Sequence, residues 1–161
     1  MERGNTLIIV TIFMAIILTI LIFAVVIFIS HVNNTLYNVK LDMYSIARSG
    51  IISVNKNQAN VGNFKYDTKT YKKEFEKSLK ENYKLNEEFE NEEKLISKIK
   101  IVEYKIYKKG EKDNFTKSRA DDRTLHIVLE VKLRPIIFRK LLEKIFIFKI
   151  HEDVNLNVVN L

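Results

Sequence analysis

Side chains able to perform acid–base or metal chemistry are sparse in this sequence. The densest group is His151-Glu152-Asp153, which offers one imidazole and two carboxylates in consecutive positions. Neighbouring residues of a strand point to opposite faces of a sheet, so His151 and Glu152 would converge only at a turn. We therefore predict a turn between two strands here, rather than a metal or catalytic site.

Two further acidic residues, Asp121-Asp122, lie in a stretch rich in Lys and Arg and adjoin no histidine. We interpret this pair as a solvated turn. His126 falls in an alternating stretch, which predicts that it lies on the outward, solvent-facing side of a strand.

Sequence motifs for catalysis are absent. The 161 residues contain no Cys, which excludes disulfides, thiolate metal sites and cysteine nucleophiles. They also contain no glycine-rich phosphate loop, no Gly-x-Ser-x-Gly and no His-Glu-x-x-His. We assign no catalytic residue, no metal ligand and no cofactor, and we expect no small-molecule substrate. A hydrolase or transferase is the least favoured class of function.

Basic residues are the other chemical feature, since 27 Lys and Arg against 20 Asp and Glu give a net charge of +7. One side of a predicted helix carries five of them, Lys69, Lys72, Lys73, Lys77 and Lys80. This side is either a basic face for an anionic partner or a consequence of a composition rich in Lys, Asn and Ile. No aromatic residues alternate with the lysines, which argues against nucleic acid as the partner.

A long apolar segment, Leu7–Ile29, has Thr11 and Thr19 as its only polar residues. Its 23 residues would span about 35 Å as a helix, enough to cross a hydrocarbon core of about 30 Å. A cleaved signal peptide has a shorter apolar region and a small-residue cleavage site, and a chain this small cannot enclose a helix that is apolar on every side. We therefore predict a membrane anchor over residues 1–30, with the lipid bilayer as its partner.

The charges that flank the anchor favour one orientation. Arg3 precedes the apolar segment, whereas Lys40 is the first fixed cation after it and is offset by Asp42. By the positive-inside rule, we predict a cytoplasmic N-terminus and an extracytoplasmic remainder of the chain. Glu2 and Arg3 cancel, so the whole net charge of +7 belongs to the aqueous part.

The segment after the anchor, residues 31–54, has apolar residues and one Gly at steps of four and three, which indicates one face of a helix. This predicted packing stripe consists of Val32, Leu36, Val39, Met43, Ile46 and Gly50. With no Pro before Gly50, the membrane helix is predicted to continue to about Ser49, or to Val54 at the latest. The stripe packs either on the domain of the same chain or, as a short coiled coil, on another subunit.

Residues 55–161 are predicted to form a small α+β extracytoplasmic domain. A polar loop over 55–63 leads to a second amphipathic helix at about 69–84, with Asp67 or Thr68 as its cap. Strands are predicted over 97–108, with a bulge at Ile101-Val102, and over 124–133. Pro135 ends the second strand, a short helix over 136–143 follows, and the last strand is one long segment or two, 145–151 and 153–159. The amphipathic helices must cover the apolar face of the resulting antiparallel sheet.

Three stretches of the chain resemble the TadE-like minor pilins of tight-adherence, or Flp-type, pilus systems of Gram-positive bacteria. Arg3-Gly4-Asn5-Thr6 precedes the apolar segment, Ser45-Ile46-Ala47-Arg48-Ser49-Gly50 follows it, and the helix-then-sheet order covers the remainder. The resemblance implies prepilin-type processing between Gly4 and Asn5. The fifth mature residue would then be Ile9, where that family usually carries Glu. This departure favours a component that stays in the membrane, or at the base or tip of a filament.

The resemblance implies a non-enzymatic, single-pass membrane protein that assembles with other pilin-like subunits in a surface appendage or secretion system. The alternative is a membrane-anchored binding or sensor domain that recognises an anionic polymer, a lipid or a protein partner.

Overall fold

The computed structural model describes residues 2–61, 67–134 and 146–156. The elements in chain order are α1 (Glu2–Val61), α2 (Thr68–Tyr83), β1 (Ile96–Tyr107), β2 (Thr124–Leu133) and β3 (Ile147–Asn155). The strands form one antiparallel sheet in the order β1-β2-β3. The predicted α+β class, with a long N-terminal helix, a second helix and an antiparallel sheet, is confirmed.

The chain divides into two compact units, Met1–Val39 and Lys40–Leu161. In the first unit, every side chain from Leu7 to Ile29 is exposed except Phe28, which is half-buried. The hydroxyls of Thr11 and Thr19 donate hydrogen bonds to backbone carbonyls one turn earlier, at 2.9 and 2.8 Å. The helix is long and apolar enough to cross a membrane, with a mean hydropathy of 3.4 in its most apolar window and none of that window buried.

In the second unit, α1 buries one stripe of small and apolar residues, which comprises Met43, Ala47, Gly50, Ile51 and Val54. Of the six stripe residues predicted from the sequence, Val32, Val39, Met43 and Gly50 are buried, whereas Leu36 and Ile46 are half-buried.

The end of α1 differs from the prediction, because the helix continues to Val61 through most of the predicted 55–63 loop. Extending an existing helix costs little, since each added residue gains one backbone hydrogen bond. Asn55 also has a buried partner, because the Tyr71 hydroxyl donates a 2.7 Å hydrogen bond to its Oδ1. A polar, Asn-rich composition alone was therefore an unreliable signal for a loop.

α2 confirms the predicted second helix and its cap. The Asp67 side chain accepts a hydrogen bond from the Lys69 amide at 3.0 Å, and Lys84 ends the helix in the left-handed conformation. The buried face consists of Tyr71, Phe75 and Leu79.

The two helices approach closely at Gly50, where an added Cβ would lie 3.7 Å from the Cβ of Glu74. Further along, the Tyr83 hydroxyl donates to the Asp42 carboxylate at 2.6 Å. Burial, together with that hydrogen bond, raises the pKa of Tyr83.

The strands largely follow the predicted pattern. The register between β1 and β2 shifts between Ile101 and Glu103, which confirms the bulge, and Val102 is exposed there. The predicted turn at His151-Glu152-Asp153 is wrong, because these residues lie within β3. The predicted helix over 136–143, its boundary at Pro135 and the end of the last strand beyond residue 156 lie outside the described residues.

The sheet has two faces. We call inner the face that carries Tyr104, Ile127 and Glu152, and outer the face that carries Lys105, His126 and Asp153, because each trio is directly opposed across the strands. The Phe75 ring of α2 lies 5.4 Å from the Tyr104 ring, and Lys40 of α1 pairs with Glu152 at 3.4 Å. Both helices therefore contact the inner face, as predicted. Its buried residues on β2 are Leu125, Ile127, Leu129, Val131 and Leu133.

Candidate functional site on the outer face

The candidate site begins with a cross-strand pair on the outer face. Antiparallel pairing sets His126 of β2 directly opposite Asp153 of β3. The imidazole Nδ1 and the carboxylate Oδ1 are 2.6 Å apart, which is hydrogen-bonding distance. Residues that are 27 positions apart in the sequence are thus brought together by the register of the sheet.

The connection between β1 and β2 supplies the third residue, Asp113. It folds as an irregular hairpin in which Gly110, at φ +80°, donates to the Ala120 carbonyl at 2.7 Å. The Asp113 carboxylate accepts hydrogen bonds from the amides of Phe115 at 2.6 Å and Thr116 at 3.2 Å. Such bonds from an Asp to the next residues of its own turn fix the turn and the direction of the carboxylate.

This hairpin covers part of the outer face. It places Asp113 Oδ1 3.5 Å from His126 Nε2, on the side of the ring away from Asp153. The Phe115 ring lies 6.3 Å from the His126 ring, and the Tyr107 ring meets His126 edge-on at 5.7 Å. His126 is consequently only 1% exposed. The alternation predicted the correct face for His126, but the prediction that this face is solvated there is wrong.

The electrostatics of the site depend on its buried carboxylate. Burial acts to raise the pKa of Asp113, but the hydrogen bonds from Thr116 and Phe115 outweigh it. The pKa of Asp113 is therefore lowered, and the carboxylate is held in its charged form. Burial, and then a hydrogen bond to Glu103, raises the pKa of the adjacent Tyr107 hydroxyl.

The arrangement could hold a metal ion. One ligand atom each from Asp113, His126 and Asp153 lies within 4.8 Å of the others. They border a cavity of about 320 Å³ that is also lined by Ser118, Arg119, Asp121 and Thr124.

The other acidic and histidine candidates do not converge. Glu152 points to the inner face, whereas His151 lies on the outer face 5.0 Å from the Phe115 ring, as strand alternation requires. Asp121 is exposed, and Asp122 accepts from the Arg123 amide at 2.9 Å just before β2. The predicted solvated turn at Asp121-Asp122 is therefore a bend in which Asp121 is exposed and Asp122 is half-buried.

The lysines of the predicted basic face do not all present free charge. Lys69, Lys72, Lys73 and Lys77 are exposed, but Lys72 lies 3.7 Å from Glu76. Lys80 is half-buried, pairs with Glu87 and lies 4.8 Å above the Phe89 ring. Acidic side chains on the same helix, Glu74, Glu76 and Glu81, interrupt the positive charge.

Gly4 and Asn5 lie in the first turns of α1, and nothing in the described part of the structure distinguishes the bond between them from its neighbours.

The chain has no significant match among protein-family models, curated proteins or solved structures. A function for this chain must therefore be inferred from its own residues. Asp113 and the pairing of His126 with Asp153 were not predicted from the sequence. A weak signal existed for the pair: antiparallel strands that match Leu125 with Val154 must also match His126 with Asp153.

Proposed function

We propose that this chain is a non-enzymatic, single-pass membrane protein with an extracytoplasmic α+β domain. We further propose that it is a pilin-like component of a bacterial surface appendage or secretion assembly. One observation carries the proposal. A single helix of 60 residues contains both the apolar segment Leu7–Ile29, exposed at every residue but the half-buried Phe28, and, from Lys40 onward, a stripe buried in the α+β unit.

The exposed apolar segment supports a location in the bilayer. In water, so large an apolar surface would be strongly unfavourable, whereas lipid tails would solvate it. Its polar side chains, Thr11 and Thr19, bond the backbone of their own helix and so leave no unsatisfied hydroxyl in lipid.

A second exposed surface on α1 supports lateral contact with other subunits. Leu41 is 50% exposed and Tyr44 is 39% exposed. They lie one helical turn apart on the exposed side of α1, beside the stripe that buries Met43 and Ala47. Exposed aliphatic and aromatic residues are suited to packing against a neighbouring helix.

Site-directed crosslinking in cells tests the proposed assembly. The chain has no Cys, so the variant Tyr44→Cys carries a single thiol. We expect it to crosslink to another membrane subunit, and we expect the control Lys69→Cys, on the exposed side of α2, to crosslink far less. A Tyr44→Cys protein that stays monomeric in its native cells would contradict assembly with other subunits.

Thiol labelling tests the orientation. Lys117 lies at the tip of the β1–β2 hairpin with a positive φ, where a cysteine is accessible. A membrane-impermeant maleimide should label Lys117→Cys in intact cells and should leave Asn5→Cys unlabelled until the cells are opened. The reverse pattern would overturn the proposed orientation. Mass spectrometry of the native N-terminus reports processing directly, since cleavage after Gly4 yields a peptide that begins at Asn5.

Exposed lysines favour the second candidate function, a membrane-anchored domain that binds an anionic polymer or lipid. Lys69, Lys73 and Lys77 are exposed, and no ion pair with an acidic residue is found for them among the described residues. This function predicts that the full chain binds anionic vesicles or wall polymer, with binding that weakens steeply as salt rises. Binding that does not depend on salt would favour the pilin-like function. So would the absence of binding both in wild type and in the variants Lys69→Glu and Lys73→Glu.

A further inference from the structure

We propose that Asp113 and His126 bind a divalent transition-metal ion, with Zn²⁺ as the reference ion, and that Asp153 is the positioning residue for the imidazole. The inference is independent of the proposed pilin-like function, because it concerns the outer face of the sheet alone.

The tautomer of His126 is the first argument. A 2.6 Å contact between Nδ1 and the Asp153 carboxylate requires a proton on Nδ1, because two lone pairs would repel at that distance. In a neutral imidazole, the remaining nitrogen, Nε2, then carries a lone pair. Nε2 lies 3.5 Å from the Asp113 carboxylate, so two electron-rich groups adjoin each other unless a cation lies between them.

The burial of Nε2 is the second argument. His126 is 1% exposed, and Nε2 has no hydrogen-bond partner among the described residues. A buried polar atom without a partner is costly, and native structures rarely leave one without an explanation. A bound metal ion would satisfy this nitrogen and would neutralise the buried Asp113 carboxylate.

The spacing of the two ligand atoms is the third argument. His126 Nε2 and Asp113 Oδ1 are 3.5 Å apart, which is long for a hydrogen bond. An ion about 2.1 Å from each atom would see them at an angle of about 110°, which is the tetrahedral geometry of zinc sites.

The surroundings match those of a metal ligand. A histidine that binds metal through one nitrogen usually donates its other N–H to a carboxylate, as His126 does to Asp153. Asp113 is itself held by hydrogen bonds from Phe115 and Thr116. The adjoining cavity leaves space for water, or for a small ligand, to complete the coordination shell.

The ligand set indicates the class of ion. An imidazole nitrogen favours Zn²⁺, Cu²⁺, Ni²⁺ or Fe²⁺ over the hard cations Mg²⁺ and Ca²⁺, which prefer oxygen ligands alone. With no thiolate and two protein ligands, the site would bind metal reversibly.

Metal titration of the full chain in detergent micelles at neutral pH tests the proposal. We expect Zn²⁺ to bind with one ion per chain in competition with a chromophoric indicator, and Mg²⁺ not to compete. In imidazole nitrogen NMR spectra, Zn²⁺ should shift the Nε2 resonance of His126 and leave those of His31 and His151 in place. Zn²⁺ should also raise the thermal unfolding midpoint, as any ligand of the native state does.

Variants locate the ion. His126→Gln should abolish the binding, and Asp153→Asn, which keeps both ligands, should weaken it by about 10–100-fold. His151→Gln is the matched control, because it removes the other outer-face histidine and should leave the affinity unchanged. If His126→Gln fails to fold, the Zn²⁺ affinities of Asp113→Asn and Asp153→Asn can be compared with that of His151→Gln instead. A loss of affinity in the first two variants alone would locate the ion at this site.

Three results would overturn the proposal. The first is a wild-type chain that takes up no Zn²⁺ at large excess. The second is a His126 Nε2 resonance that shows a bound proton and does not respond to Zn²⁺, since a charged imidazole would then bridge the two carboxylates. The third is binding that survives the loss of His126 but not that of His151.

Discussion

The two faces of the sheet are both buried along the first half of β2, but they are buried by different kinds of contact. On the inner face, Leu125, Ile127 and Leu129 pack beneath the helices. On the outer face, His126 lies between two carboxylates beneath a loop. Apolar packing tolerates many partners of suitable size, whereas a buried imidazole requires particular atoms at particular distances.

This difference determines how substitutions on each face should change the free energy of unfolding. Truncation on the inner face removes apolar contact and leaves a cavity, so its cost should follow the volume removed. A change on the outer face leaves a polar atom or a charge without its partner, so its cost should depend on which partner is lost. Substitutions matched for position can separate the two cases.

The largest effect is expected on the inner face. Leu129 is 0% exposed, and Leu129→Ala should lower the free energy of unfolding by about 2–5 kcal/mol. Urea unfolding of the full chain in micelles, followed by the tyrosine circular dichroism of the α+β unit, measures this loss. The control Val102→Ala, at the exposed bulge, should change stability by less than about 0.5 kcal/mol. Equal losses at both positions would contradict the assignment of the inner face as the core.

A smaller effect is expected on the outer face. Asp113→Ala removes the acceptor of the Phe115 and Thr116 amides. The expected loss is about 1–3 kcal/mol in the same unfolding assay, with metal chelated. Asp121→Ala, in the same connection but exposed, should lie within about 0.5 kcal/mol of wild type.

The dependence of stability on pH tests the contribution of Asp113 on the outer face. The pKa of Asp113 is lowered in the folded protein, so its stabilising effect is complete above the unfolded pKa of about 3.9 and is lost as pH falls through the folded value. Asp113→Asn should therefore lose less stability than wild type between about pH 4 and pH 2. Parallel curves for the two proteins would show that Asp113 contributes nothing to acid sensitivity.

Alanine substitutions at two glycines are expected to change the free energy of unfolding in opposite directions. At Gly110 nothing lies within 4 Å of an added Cβ, but φ is +80°, so Gly110→Ala should cost about 1 kcal/mol of backbone strain. Gly50 is inside a helix and its added Cβ would make an ordinary 3.7 Å contact, so Gly50→Ala should stabilise by up to about 1 kcal/mol. Destabilisation by Gly50→Ala would show that α1 and α2 are packed more tightly than the 3.7 Å contact implies.

The smallest effect is expected on the exposed side of α2. The Lys72–Glu76 pair is solvated and spaced one turn apart at 3.7 Å, so Lys72→Ala should cost about 0.2–0.5 kcal/mol. The loss should vanish at high salt, where exposed charges are screened. Lys77→Ala is the control on the same exposed side. A loss at Lys72 that persisted in high salt would indicate packing rather than an ion pair.

Much of the fold was predictable because it depends on local periodicity. The apolar run at Leu7–Ile29, the four-residue spacing from Tyr71 to Leu79 and the alternation from Leu125 to Leu133 each indicate their element without reference to distant residues. The bulge at Val102 was visible as a phase shift in that alternation. The end of α1 was not predictable in this way, because the hydrogen bond between Tyr71 and Asn55 joins two elements.

The sequence alone determined most of the helices and strands, and the sheet face of residues such as His126, since these follow from the geometry of the backbone over a few residues. Only the tertiary structure decided that His126 is buried, that Asp153 lies opposite it and that Asp113 reaches it from a loop. The physical reason is that strand register and loop closure bring together atoms distant in the chain, and local periodicity carries no information about which distant residues will meet.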